Sequence, residues 1–119
     1  MDTIEPRLLK GFRDYLPEQM IARQRMMRTI ADVFERFGFA PLETPALEYA
    51  DILLGKLGDD AESLFYRFED HGGRDVCLRY DLTVPLARVA AQYQNLRLPF
   101  KRYQIAPVWR AEKPGKGRF

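Results

Sequence analysis

Leu64-Phe65-Tyr66-Arg67-Phe68-Glu69 and Asp75-Val76-Cys77-Leu78-Arg79-Tyr80 are two short runs of aromatic and branched residues, and Asp70-His71-Gly72-Gly73-Arg74 lies between them. Two runs of strand formers joined by a polar turn, with a glycine pair to take positive φ, read as a β-hairpin. The hairpin decides the fold class, because it demands antiparallel pairing while helical patterns flank it on both sides. Within it, His71 reads as a turn residue and Cys77 as a small apolar side chain packed against its neighbours.

Working upstream, Pro17 opens a long helix with Glu18 favourable in its first turn. Met20, Met27, Ile30, Phe34 and Phe37 recur at roughly helical spacing, with Arg23, Arg25, Arg28, Glu35 and Arg36 mostly elsewhere. The cluster of Met20, Met26 and Met27 reads as core or subunit interface, and Gly38 reads as the helix's C-terminal cap. Residues 1–16 look irregular. Phe39 to Glu48 reads as extended, with Pro41 and Pro45 marking an edge or an end. Asp51 is expected to cap a short helix through Leu57 that Gly58 closes. Downstream of the hairpin, Asp81-Leu82-Thr83-Val84-Pro85 starts another helix, with Thr83 as its expected cap and Leu86, Val89, Ala90 and Tyr93 as its apolar face. Pro99 precedes a last strand. The sum is an α+β fold: a mostly antiparallel sheet with flanking helices on one face, incomplete at its C-terminal end.

The 119 residues amount to one domain or part of one, and 46% apolar residues suffice for a core. A net charge of +2 does not mark a bulk polyanion binder, although local basic clusters can still meet phosphate. A single cysteine and a single histidine exclude an internal disulfide and a metal cage built from those side chains, and no protein-bound metal is expected. The N-terminus lacks an apolar segment after a basic start, and no run approaches a membrane span, so the sequence reads as a soluble protein of a reducing, intracellular compartment.

Three groups carry possible chemistry. In the last strand, Arg102-Tyr103-Gln104-Ile105-Ala106-Pro107-Val108-Trp109-Arg110-Ala111-Glu112, period-two alternation puts Arg110 and Glu112 on one face. There Arg110 can neutralise a phosphate as a fixed fork while Glu112 accepts from an amine; a surface strand with alternating charge explains the same pattern. At the strand-to-helix junction Asp81 can hold an ammonium with Thr83 adding a hydrogen bond, and helix capping is the plainer alternative. Lys113, Lys116 and Arg118, set among Pro114, Gly115 and Gly117, make either a solvated tail or a loop that closes on a triphosphate or an RNA end.

Taken in order, the motifs resemble the N-terminal part of a histidyl-tRNA synthetase, a class II aminoacyl-tRNA synthetase. Gly11-Phe12-Arg13-Asp14-Tyr15-Leu16-Pro17 is similar to the family's N-terminal signature, and the long helix with Phe37-Gly38-Phe39 and Thr44-Pro45 is similar to motif 1. Leu78-Arg79-Tyr80-Asp81-Leu82-Thr83-Val84-Pro85 resembles the histidine-binding segment, and Tyr103 to Phe119 resembles motif 2 with Trp109-Arg110-Ala111-Glu112 at its core. The resemblance implies activation of L-histidine with ATP, accompanied by Mg2+, to histidyl-adenylate, followed by transfer to tRNA(His). It places Asp81 and Thr83 on histidine, Arg110 on both histidine and the α-phosphate of ATP as the catalytic residue, Glu112 near adenine and Arg118 on the outer phosphates. It also implies a cytoplasmic homodimer built through motif 1. The return strand of motif 2, motif 3 and an anticodon-binding domain have no counterpart in these 119 residues, so the isolated chain is expected not to aminoacylate.

Two other readings fit part of the pattern. The synthetase-like regulatory subunit of ATP phosphoribosyltransferase, in histidine biosynthesis, keeps the histidine pocket and has no need of the motif 2 residues, so Arg110, Glu112 and the basic loop favour the synthetase. A non-catalytic dimerisation fragment uses only the long helix and the Pro45 strand.

Overall fold

The computed structural model describes residues 3–55 and 64–111. In chain order its elements are α1 (Pro17–Arg36), β1 (Ala40–Pro41), β2 (Leu47–Tyr49), α2 (Ala50–Leu54), β3 (Arg67–Glu69), β4 (Asp75–Leu78), α3 (Thr83–Gln92) and β5 (Arg102–Tyr103).

The hairpin forms, and Asp70 builds its turn. One carboxylate oxygen, Oδ1, accepts from the backbone N–H of Gly72 at 3.0 Å and of Arg74 at 2.8 Å, and Oδ2 accepts from Arg74 Nε at 2.7 Å. These bonds add to the turn's own backbone contacts, Gly73 N–H to the Asp70 carbonyl at 3.0 Å and Asp70 N–H to the Arg74 carbonyl at 2.9 Å. These donors, the Arg74 backbone N–H first, hold the Asp70 carboxyl below its ordinary pKa. Only Gly73 takes positive φ, at 80°; Gly72 does not, so the glycine pair is used once. The pairing is antiparallel with Glu69 opposite Asp75 and Arg67 opposite Cys77, and Arg67 closes an exposed ion pair with Asp75 at 2.6 Å. Regular pairing spans less than the sequence predicted: β3 begins at Arg67 and β4 ends at Leu78.

β2 adds antiparallel to the other edge of β4, giving the order β2-β4-β3, while β1 and β5 form a separate parallel pair. The core sits where α2 meets β4: Ala50, Leu53, Leu54 and Cys77 are buried, with Phe65, Tyr80 and Val84 packed against them. Tyr80 fastens this junction by donating its hydroxyl to the Leu53 carbonyl at 2.6 Å and resting on the Phe65 ring at 4.6 Å. Cys77 is fully buried, and desolvation raises its thiol pKa, so it packs as an inert apolar side chain.

Two caps differ from expectation. Asp51 does not cap α2; Tyr49 occupies the N-cap position and Asp51 lies in the first turn, because the chain turns directly out of β2 into the helix. α2 stops at Leu54, with Gly55 at φ 52°, and the expected closing residues Leu57 and Gly58 lie outside the described residues. Thr83 does not cap α3 either: it is the first helical residue, and the Val84 N–H is taken instead by Asp81 Oδ1 at 3.2 Å. On α3 the covered positions are Pro85 and Val89, one turn apart, while Ala90 is exposed and Tyr93 falls beyond the helix end.

α1 ends as predicted, and the geometry is specific. The Gly38 N–H bonds the Glu35 carbonyl at 3.0 Å and the Phe39 N–H bonds the Phe34 carbonyl at 3.0 Å, the paired bonds of a Schellman motif. Its usual apolar contact is present too, Phe34 against Phe39 at 5.8 Å, and Phe34 also stacks on Tyr103 of β5 at 5.5 Å. Among the described residues α1 buries nothing: Ile30, Val33 and Phe34 stay open to solvent, and Phe37, just past its end, is 70% exposed. The predicted apolar stripe exists, but few of the described residues cover it.

Gly38 has φ +85°, and a Cβ there would meet nothing nearer than the Lys101 side chain at 3.9 Å. The cost of Gly38→Ala is therefore conformational, about 1–2 kcal/mol. Urea unfolding followed by circular dichroism measures it; an unchanged midpoint would mean that this cap contributes nothing to stability.

Candidate functional site

The backbone of β4 runs on through Arg79 and Tyr80 into Asp81, where α3 begins. A carboxylate at a helix N-terminus is favoured by the unpaired N–H groups there. One oxygen of the half-buried Asp81 is engaged by Val84, and the group retains acceptor capacity for an ammonium donor. Thr83 is exposed on the first turn of α3, two residues further on.

Arg110 arrives from the far end of the chain. Its Nε donates to the carbonyl of Tyr80 at 3.2 Å, across a separation of 30 residues, so the guanidinium is tied to the peptide immediately before Asp81. Sequence alternation alone could not bring these two residues together; the fold does. The segment carrying Arg110 is paired as a strand only at Arg102–Tyr103. Beyond that point it is held by single bonds, Trp109 N–H to the Arg79 carbonyl at 3.0 Å and Ala111 N–H to the Leu64 carbonyl at 2.8 Å. The predicted strand from Arg102 to Glu112 is thus, among the described residues, a short parallel pair followed by a run held by single bonds. Glu112, Arg118 and the lysines of the basic tail lie outside the described residues.

A residue that the sequence did not mark organises this arrangement. Arg79 is only 5% exposed. Its Nη1 donates to the Thr44 carbonyl at 2.7 Å and its Nε to the Pro107 carbonyl at 3.0 Å, while its own N–H bonds the Ala46 carbonyl at 2.9 Å. Its guanidinium carbon lies 5.6 Å from the Trp109 ring centroid. One side chain therefore joins the segment before β2 to the segment that carries Arg110. Thr44, equally buried, receives Gln104 Nε2 on its hydroxyl at 2.9 Å, a second tie between the same two segments. The available signal was an arginine inside an apolar hairpin run. Its partners are backbone carbonyls, which no side-chain pattern reveals.

Among the described residues, no three His, Cys, Asp or Glu side chains converge as a metal site would require. A groove of about 1010 Å³ elsewhere, lined by Tyr49, Ile52, Val89, Tyr93 and Phe100, is largely apolar and holds the Glu48–Arg88 ion pair at 3.1 Å. Its lining suits packing against another apolar surface.

An α+β arrangement of antiparallel strands with flanking helices is also that of the solved class II aminoacyl-tRNA synthetases that this chain matches. A solved histidyl-tRNA synthetase from Nostoc sp. PCC 7120 superimposes with a TM-score of 0.79 at 35% identity, covering 90% of this chain and 25% of that one. A Bacillus halodurans structure described as an ATP phosphoribosyltransferase regulatory subunit/histidyl-tRNA synthetase superimposes with a TM-score of 0.78 at 26% identity, covering 92% of this chain and 30% of that one. Shape alone thus does not separate the two branches. Sequence does: residues 11–118 match the histidyl-tRNA synthetase family profile. The histidine–tRNA ligase of Rhodopirellula baltica is 60% identical over 117 residues, 98% of this chain and 26% of that protein. That of Treponema denticola is 52% identical over 119 residues, 99% of this chain and 27% of that protein. The chain belongs to the histidyl-tRNA synthetase family, and it spans about a quarter of the length of these relatives.

Replacing Arg79 by Met keeps the volume but leaves the Thr44 and Pro107 carbonyls without their donor. The expected loss is about 2–4 kcal/mol of stability in urea unfolding. A loss within experimental error of zero would show that solvent or neighbouring groups satisfy those carbonyls equally well.

Proposed function

We propose that the protein carrying this sequence is a histidine–tRNA ligase, activating L-histidine with ATP to histidyl-adenylate and transferring the histidyl group to tRNA(His). The observation that carries this reading is the Arg110 contact to the Tyr80 carbonyl, which places a fixed guanidinium beside the peptide leading into Asp81. In this reading Asp81 holds the α-ammonium of histidine, Thr83 adds a hydroxyl contact, and the substrate carboxylate then faces Arg110. A carboxylate oxygen attacks the α-phosphorus of ATP in line; the new bond is the mixed anhydride, the broken bond is to the bridging oxygen, and pyrophosphate leaves. Negative charge accumulates on the α-phosphoryl oxygens, where a preorganised guanidinium lowers the barrier. In the second step a terminal ribose hydroxyl of the RNA attacks the acyl carbon, and AMP leaves.

Glu112 near adenine and Arg118 on the outer phosphates belong to the same reading through their place in the family motif. Mg2+ enters with ATP as its phosphate complex, not as a resident ion. The open apolar face of α1, with Pro45 beyond it, supports a homodimer, since large apolar side chains left in water gain most by covering one another. A cytoplasmic setting accords with this role, and no described helix is long and apolar enough to cross a membrane.

Histidine-dependent ATP–pyrophosphate exchange by the whole protein tests the proposal. Arg110→Ala is expected to lower the exchange rate about 10²–10³-fold, the size of effect of removing one transition-state donor. Asp81→Asn is expected to raise the KM for histidine far more than that for ATP. No exchange together with a stable complex with a phosphoribosyltransferase catalytic subunit would replace this reading with the regulatory one.

A further inference from the structure

Three arginines from separate parts of the chain line one small cleft. Arg13 comes from the irregular N-terminal segment, Arg23 from the second turn of α1 and Arg110 from the last described segment; with Tyr15, Tyr66 and Trp109 they border a hollow of about 230 Å³. The net charge of the whole chain is only +2, so this concentration of guanidinium is local.

Two of the three are braced on one ring. The guanidinium carbon of Arg23 lies 4.0 Å from the Tyr15 ring centroid, and that of Arg13 lies 5.2 Å from the same centroid. A guanidinium over a ring face is attracted by the ring's quadrupole, and its planar fork of donors matches the oxygen pair of a phosphate. The ring contact also restrains the side chain before a ligand arrives, which reduces the entropy lost on binding. Arg110 is fixed independently by the Tyr80 carbonyl, and Trp109 by the Arg79 carbonyl that its N–H meets. The hollow is small enough for one phosphate group or one nucleotide unit and too small for a folded segment.

The geometry points to a phosphate subsite formed by Arg13 and Arg23 on Tyr15, contiguous with Arg110. It rests on the proposed role of Arg110 only for its nearness to the reaction centre; the phosphate chemistry of Arg13 and Arg23 stands on their own placement. Two sources supply that chemistry: the polyphosphate of ATP or its pyrophosphate product, and the backbone phosphates of an RNA end that must approach Arg110 to be acylated.

Trp109 is the only tryptophan in the chain and borders the cleft, so its emission reports occupancy. Sodium pyrophosphate, ATP and a short single-stranded RNA are titrated separately into the 119-residue chain. A saturable emission change is expected with at least one of them, and the responding arm names the source. The Arg13→Gln, Arg23→Gln double variant is expected to raise half-saturation about tenfold or more, the scale of losing a charge-assisted hydrogen bond. The Arg13→Lys, Arg23→Lys variant keeps charge without the stacked fork and is expected to fall between the two; it also stands in for the Gln variant if circular dichroism shows α1 lost there. Silence from all three ligands, or half-saturation unchanged in both double variants, overturns the subsite. Arg110→Gln separates the two readings. Weakening there alone refutes the subsite and leaves the Arg110 assignment intact, whereas weakening in the double variants alone supports the subsite and refutes that assignment.

Discussion

The side chain of Arg79 is the constraint on which the rest depends. A buried guanidinium is costly unless its donors are met, and here they are met by carbonyls from two segments that are otherwise remote, Thr44 and Pro107. The same residue's backbone receives Trp109 and reaches Ala46. Because the run after β5 has little ladder pairing of its own, its position relative to β4 is set by these few contacts. The place of Arg110 follows from the place of Pro107 and Trp109, and the site exists only as far as that register holds.

Packing supports the same junction from beneath. Tyr80 donates to Leu53 and rests on Phe65, so the peptide that Arg110 touches is anchored to the small core of α2 and β4. On the other flank, Phe34 stacks on Tyr103, and the Tyr103 hydroxyl donates to Glu35 at 2.9 Å. That bond to Glu35 is the main reason the Tyr103 phenol is held above its ordinary pKa. These contacts tie α1, with its uncovered apolar face, to the start of the Arg110 segment. The uncovered apolar face of α1 and the segment that carries Arg110 thus share one connection.

Much of the fold was legible because its signals are local. Pro17, Gly38 and the Gly73 turn follow from the limited φ available to each residue type, and the hairpin follows from its alternation. The antiparallel sheet and the helix order came with them. The caps were not legible: Asp81 took the role expected of Thr83 because the chain enters α3 one residue earlier than the pattern suggested, and Asp51 was displaced by a direct turn out of β2. At the candidate site, the residue types and their family motif singled out Asp81 and Arg110, but the bond of Arg110 to the Tyr80 carbonyl, next to Asp81, depends on tertiary contacts that no side-chain pattern reveals. Arg79 escaped for the same reason. Arg13 and Arg23 were not singled out because they share the Tyr15 ring, a contact that residue spacing does not reveal.

Hydrogen exchange at the Trp109 amide tests the account most directly. That N–H bonds the Arg79 carbonyl at 3.0 Å, so its protection reports whether the Arg110 segment stays docked on β4. In Arg79→Met, the Trp109 amide is expected to exchange about 10–100-fold faster while amides in the middle of α1 keep their rates, the signature of a local rather than a global opening. An unchanged Trp109 rate, or an equal acceleration at every amide, would contradict the claim that Arg79 holds the two halves of the site together.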